Sequence, residues 1–64
     1  MTGVEFRKWR REREISQQEV AEFAGCNKST ICRWEKNNIN LVPELYERVM
    51  EFIRFKMNLT RSLF

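Results

Sequence analysis

The chain has 64 residues, which limits it to one domain, residues 1–64, with a small core. Hydrophobic residues make up 42% of it, which is enough for a globular core and argues against a disordered chain, while the net charge of +3 is only weak support for a polyanionic partner. It contains no histidine and no aspartate, and neither cysteine has a base nearby, so we do not expect an enzyme.

A first helix is predicted from about Gly3 to Arg13. Thr2 and Glu5 match a capping box, in which each side chain bonds to a backbone N–H at the start of the helix. Phe6 and Trp9 share one face and are core candidates. The basic residues outside that face either add charge to a binding surface or are only solvated; they are Arg7, Lys8 and Arg11.

A second helix is predicted to begin after Ser16, which would form a second capping box with Glu19. It ends at Gly25, a residue that adopts a positive φ without steric cost. The partly positive amides at the start of a helix can hold a phosphate, and Gln17 adds a side-chain donor there. The alternative is that Ser16 and Gln17 only cap the helix.

A third helix is predicted over residues 28–36, with Asn27 as its N-cap. Ile31 and Trp34 face the core, so the other side chains lie outside; these are Lys28, Ser29, Cys32 and Arg33. A short helix with such an outer face fits the major groove of DNA. Taken alone, Lys28 and Arg33 are more typical of a solvated face, and it is the two-helix framework that favours a role in base contact. Glu35 lies next to the core edge and needs a partner there.

Cys26 and Cys32 lie in the turn and on the following helix. A disulfide between them would distort that helix, and two cysteines without histidine cannot complete a usual zinc site. We therefore expect half-buried free thiols in a reducing cytosol, with no metal and no cofactor. No signal peptide or membrane span is predicted.

A final helix is predicted from Pro43 to about Met57. One apolar stripe, Leu45, Val49 and Phe52, closes the core, and a second stripe is left over: Tyr46, Met50, Ile53 and Met57. The tail adds Leu59, Leu63 and Phe64. We predict that this helix and tail, residues 43–64, form a homodimer interface through the second stripe. The alternative is that the tail folds back over the stripe and the protein is monomeric.

The stretch SQQEVAEFAGCNKSTICRWEK, residues 16–36, resembles the helix-turn-helix of Cro and lambda-repressor-like proteins, the XRE family. The matching residues are Gln17, Val20, Ala21, Gly25, Ser29, Ile31, Trp34 and Glu35, with Phe6, Trp9 and Arg10 in the helix before. The resemblance covers Val4 to about Ile53 and implies an all-α compact bundle of four or five helices, with a lambda-repressor-like DNA-binding domain. Two features depart from the pattern: Asn37 replaces a frequent glycine, and one long helix replaces the usual two final helices.

The resemblance also implies roles for individual residues. Lys28, Ser29 and Arg33 match the base-reading positions, and Asn27 and Cys32 match positions that contribute in some members. Gln17 matches the glutamine that binds phosphate, and the residues after the third helix are candidates to clamp the backbone: Lys36, Asn37 and Asn38. Arg10 and Glu35 match a buried ion pair seen in some repressors.

The function expected from these residues is sequence-specific binding of double-stranded DNA by a cytoplasmic transcriptional regulator. A small phage or mobile-element repressor would bind a palindromic operator as a homodimer, with half-sites about 34–36 Å apart. Neither a membrane nor a small-molecule ligand is expected. The alternative is a protein-interaction module, such as an antitoxin or inhibitor, on the same fold. The polar side chains of Lys28, Ser29 and Arg33 argue against that alternative.

Overall fold

The computed structural model describes residues 1–62 of the chain, with side chains described for residues 1–58. Its elements are α1 (Gly3–Glu12), α2 (Gln17–Ala24), α3 (Lys28–Glu35) and α4 (Pro43–Ser62), and residues 1–62 contain no strand. The all-α fold with a helix-turn-helix is therefore confirmed, with four helices. Leu63 and Phe64 and the side chain of Leu59, all from the predicted tail, lie outside the described residues. In the described part, no helix combines the length and the apolar character that crossing a bilayer requires.

The capping box predicted for α1 is present. The Thr2 hydroxyl oxygen accepts from the Glu5 N–H at 3.1 Å, and the Thr2 N–H donates to the Glu5 carboxylate at 2.8 Å. The bond from the Thr2 backbone N–H, and after it the Thr2 hydroxyl, lower the pKa of the Glu5 carboxyl. The start of α1 is thus fixed by its own sequence.

The caps predicted for α2 and α3 are only partly correct. Ser16 Oγ accepts from the Glu19 N–H at 3.0 Å, but the Glu19 carboxylate pairs with Lys56 of α4 and not with the cap backbone. Asn27 is the N-cap of α3, yet its side chain makes no capping bond. The Asn27 carbonyl instead accepts from the Thr30 N–H at 3.0 Å. In α2, a long-range ion pair has displaced half of the local motif.

Three turns place a residue in the left-handed backbone region: Glu14 at φ 56°, Gly25 and Asn37. Gly25 ends α2 at φ 75°, and its N–H donates to the Ala21 carbonyl at 2.8 Å. Asn37 has φ 64° just after α3, at the position where the resemblance leads us to expect glycine. Asparagine is one of the few residues that tolerate this region. The replacement of glycine by Asn37 therefore keeps the same turn.

The core lies where the four helices meet, and aromatic rings fill much of it. Its buried apolar residues are Phe6, Ile15, Val20, Ala21, Ala24, Ile31, Trp34, Val49 and Phe52. The centroid of the Phe6 ring lies 5.7 Å from that of Trp9 and 5.2 Å from that of Trp34. The aromatic rings of α1 therefore pack on an aromatic ring of α3. At Gly3 the two helices approach so closely that any side chain would clash with the Trp34 carbonyl. These contacts set the position of α3.

The structure corrects two predictions about the last helix. First, α4 continues to Ser62, beyond the predicted end at Met57. Second, most of the stripe predicted to be left over is not free: Tyr46, Met50 and Ile53 are half-buried against the core, and only Met57 is exposed, at 44%. The reason is that α3 reaches this flank of α4 with a large ring. That ring, of Trp34, lies 6.3 Å from the Tyr46 ring.

Candidate nucleic-acid interface

The outer face of α3 is polar and accessible. Lys28, Ser29 and Arg33 are exposed, and Cys32 is half-buried beside them. The opposite face is anchored, because Ile31 is 0% and Trp34 5% exposed. A helix of eight residues therefore presents one fixed row of side chains to solvent.

A buried carboxylate ties α3 to the rest of the domain. Glu35 is 1% exposed, and Arg10 from α1 donates to both of its oxygens, from Nε at 2.8 Å and from Nη2 at 2.9 Å. The remaining Arg10 nitrogen, Nη1, donates to the Ile15 carbonyl at 2.8 Å. This bidentate pair fixes α3 relative to α1 and to the link before α2.

Gln17 joins the same network, which the sequence did not indicate. Its Nε2 donates to Glu35 Oε1 at 3.0 Å, although the two residues are 18 positions apart. An amide nitrogen carries two hydrogens, so one remains for another acceptor. The expected phosphate contact of Gln17 stays a prediction. In the structure the same side chain also holds Glu35.

A cleft of about 400 Å³ is lined by residues of α1, of the start of α2 and of α3. Its lining is mostly basic and consists of Arg7, Arg10, Arg11, Ser16, Gln17, Gln18, Lys28, Cys32, Glu35 and Lys36. The one carboxylate in that set, Glu35, is already paired with Arg10. The cleft is therefore a concave surface with excess positive charge, which attracts an anion.

The structure brings some of the predicted contact residues together and separates others. Ser16, Gln17 and Lys36 share the cleft with Lys28 and Cys32. The predicted base contacts Asn27, Ser29 and Arg33 are exposed next to it, on the turn and on α3. Asn37 and Asn38 are exposed beyond the end of α3 and do not line the cleft. The backbone clamp predicted for these two asparagines thus lies apart from the other phosphate candidates.

The sequence did not decide whether Arg7 and Arg11 of α1 belong to a binding surface, and the structure places both in the cleft. Their placement depends on α1 facing the start of α2, which no local sequence signal indicates. Lys8, grouped with them in the sequence, does not line the cleft. The fold thus divides the basic residues of α1 into two sets.

Both cysteines are free and half-buried, as expected. Burial raises the pKa of the Cys26 thiol, which makes this turn residue less reactive at neutral pH. Cys32 lines the cleft beside the basic residues. Among the residues that the structure describes, no cluster of histidine, cysteine or acidic side chains can hold a metal ion.

Comparison with known proteins gives one result. The sequence model of a protein family described as "Helix-turn-helix domain" matches residues 3–63. No curated protein and no solved structure matches the chain. The matched range includes all of α1, α2 and α3 and all of α4.

Proposed function

The chain belongs to a helix-turn-helix family of the XRE/Cro-like type, and from this premise we propose that it is a sequence-specific DNA-binding regulator of transcription that reads its site through α3. The observation that supports this proposal is the outer face of α3. It carries exposed Lys28, Ser29 and Arg33 on a helix whose inner face is held by the core and by Glu35. A rigid helix with accessible donors is what reading of the major groove requires.

Arg33 is the principal base reader in this proposal. Its planar fork can donate two hydrogen bonds to guanine, and such a pair is worth about 1–3 kcal/mol in discrimination. Lys28 can do the same less rigidly, and Ser29 can bond to a base or a phosphate. Asn27 and Cys32 contribute at the edge, Cys32 through apolar contact with a thymine methyl group.

Contacts to the DNA backbone fix the register of α3. Ser16 and Gln17 lie at the start of α2, where helix amides favour a phosphate. Lys36 adds a contact from the same cleft, and Asn37 and Asn38 hold the backbone beyond the end of α3. Binding that uses several phosphates weakens as salt rises, because counterions are released.

Two copies of the chain bind one operator. A single α3 reads only a few base pairs, and a two-fold dimer doubles the site into a palindrome. The exposed Met57 and the half-exposed flank of Tyr46, Met50 and Ile53 are the surface proposed for the second copy. The small size and the resemblance favour a repressor of phage or mobile-element type. The alternative, an antitoxin or inhibitor, would need an apolar outer face on α3, which this helix lacks.

Selection of bound duplexes from a random DNA pool tests this function. The wild type is expected to enrich a palindrome, and Arg33→Ala to enrich the same site with one base preference lost in each half. Arg54→Ala serves as the matched control, because Arg54 is exposed on α4. A single half-site would contradict the dimer. No enrichment at low salt would contradict DNA reading and favour the protein-interaction alternative.

A further inference from the structure

Four exposed cations of the cleft have no carboxylate partner among the described side chains. Arg7, Arg11, Lys28 and Lys36 form no ion pair with any carboxylate of residues 1–58. In the same region Arg10 is fully engaged by Glu35 and by the Ile15 carbonyl. The cleft therefore keeps a net positive charge after its internal pairing is complete.

The two arginines of α1 also stand close to each other. Arg7 and Arg11 are four residues apart, so they lie on the same face of the helix, and like charges at this spacing repel. The repulsion is relieved when an anion lies between them. Arginine is well suited to that task, since its fork can donate two hydrogen bonds to one phosphate.

From this arrangement we infer that α1 is a second DNA-contacting helix, in which Arg7 and Arg11 hold the phosphate backbone inside the cleft. The inference rests on the proposed function, because it takes the strand read by α3 as the source of the phosphates. Lys28 and Cys32 of α3 line the same cleft, as do Ser16 and Gln17 of α2. A backbone strand leaving α3 thus passes the start of α2 and reaches α1 without crossing an acidic surface.

The division within α1 gives the inference a matched control. Lys8 is exposed on the same helix and does not line the cleft. It lines a neighbouring shallow depression together with Val4, Glu12 and the outer sides of Arg7 and Arg11. Arg54 is exposed on α4, and it too is absent from the cleft lining. The pair Lys8→Gln with Arg54→Gln therefore removes as much charge as Arg7→Gln with Arg11→Gln, without touching the cleft.

The test is the salt dependence of DNA affinity, measured by fluorescence anisotropy with one labelled duplex from low to moderate salt. Each phosphate contact contributes about 0.9 to the slope of log affinity against log salt. We expect the slope to be less steep by about 1.8 in Arg7→Gln/Arg11→Gln than in the wild type, because two phosphate contacts are lost. The Lys8→Gln/Arg54→Gln control should keep the slope of the wild type. Thermal melting of each variant checks that it is folded.

The outcomes separate this inference from the proposed function. Wild-type binding with an unchanged slope in the Arg7→Gln/Arg11→Gln variant would overturn the role of α1 and leave the reading by α3 intact. An equal decrease in the steepness of the slope in the Lys8→Gln/Arg54→Gln control would also overturn it, since the effect would then come from net charge alone. Absence of salt-dependent binding by the wild type would overturn the proposed function and this inference with it.

Discussion

At the scale of single residues, Glu35 connects stability with the candidate interface. It lies at the end of α3, and the side chains of Arg10 and Gln17 make three hydrogen bonds to it. A buried carboxylate loses its water on folding, and those bonds replace what it loses. The same three bonds hold α1, the start of α2 and the end of α3 in one geometry.

Removal of Arg10 should strongly destabilise the domain. Arg10→Met leaves Glu35 charged in a buried position, and breaking such a pair costs about 3–5 kcal/mol. Urea unfolding followed by circular dichroism measures this loss. In the same assay Arg54→Met should change the free energy of unfolding by no more than about 0.5 kcal/mol, because surface substitutions rarely do more.

A second variant separates the loss of the pair from a general packing defect. Arg10→Met combined with Glu35→Leu removes both charges, and such apolar replacements of a buried pair are often neutral or stabilising. We expect the double variant to recover most of the lost stability. If Arg10→Met alone lowers the free energy of unfolding by less than about 1 kcal/mol, the account of Glu35 is contradicted, because that is the value of an ordinary exposed pair.

The sequence predicted that Glu35 needs a partner, and it did not predict Gln17. The side chain of Gln17 was assigned to the start of its own helix because spacing within α2 is local information. Its bond to Glu35 spans 18 positions and depends on how α3 is placed. The position of Glu35 predicted the need for a partner, and the family resemblance supplied Arg10, but neither indicated Gln17.

At the scale of the elements, local signals marked where the helices begin. Thr2, Ser16, Asn27 and Pro43 each precede or open a helix, as their chemistry predicts. The end of α4 was less well marked: no glycine or proline follows Met57, and the helix runs on to Ser62. The predicted capping box of Ser16 and Glu19 was also incomplete, because Lys56 of α4 takes the carboxylate.

The turn at Gly25 should determine the angle between α2 and α3. Gly25→Ala forces a residue with a side chain into φ 75°, although space is available, since the nearest atom to the added carbon is 3.7 Å away. The expected loss is about 1–2 kcal/mol, which is the cost of left-handed backbone for an ordinary residue. The change in melting temperature measures it.

Gly25→Asn is the control for this effect. Asparagine has a larger side chain than alanine but tolerates left-handed backbone, as Asn37 does at φ 64°. It should therefore lose less stability than Gly25→Ala. A larger loss for asparagine would indicate that crowding, and not backbone conformation, selects glycine at this turn.

At the scale of the whole molecule, the described surface has two contrasting sides. The basic cleft and the outer face of α3 form one, and an aromatic edge between α2 and α4 forms another. In that edge Phe23 is 44% and Phe55 49% exposed, with ring centroids 5.9 Å apart. The sequence placed Phe55 outside both stripes of α4, and its contact with α2 appears only in three dimensions.

The flank of α4 formed by Tyr46, Met50, Ile53 and Met57 is less accessible than the sequence predicted. The stripe predicted to be wholly free shares its surface with the core, so Met57 is its most accessible member. The concave shape of the cleft was equally hidden from the sequence, because it depends on α1 packing against α3 at Gly3. Residue types were predictable from the sequence, whereas their grouping into surfaces required the packing of helices.

The most direct test of the central claim, that DNA binds across α3, is a map of backbone amide shifts by nuclear magnetic resonance. The isotope-labelled protein is titrated at low salt with a short mixed-sequence duplex. We predict that the largest shifts occur at residues 16–18 and 28–33, whereas Phe23 and Phe55 remain unchanged. Shifts centred on Phe23 and Phe55, or no shifts at all, would contradict the account.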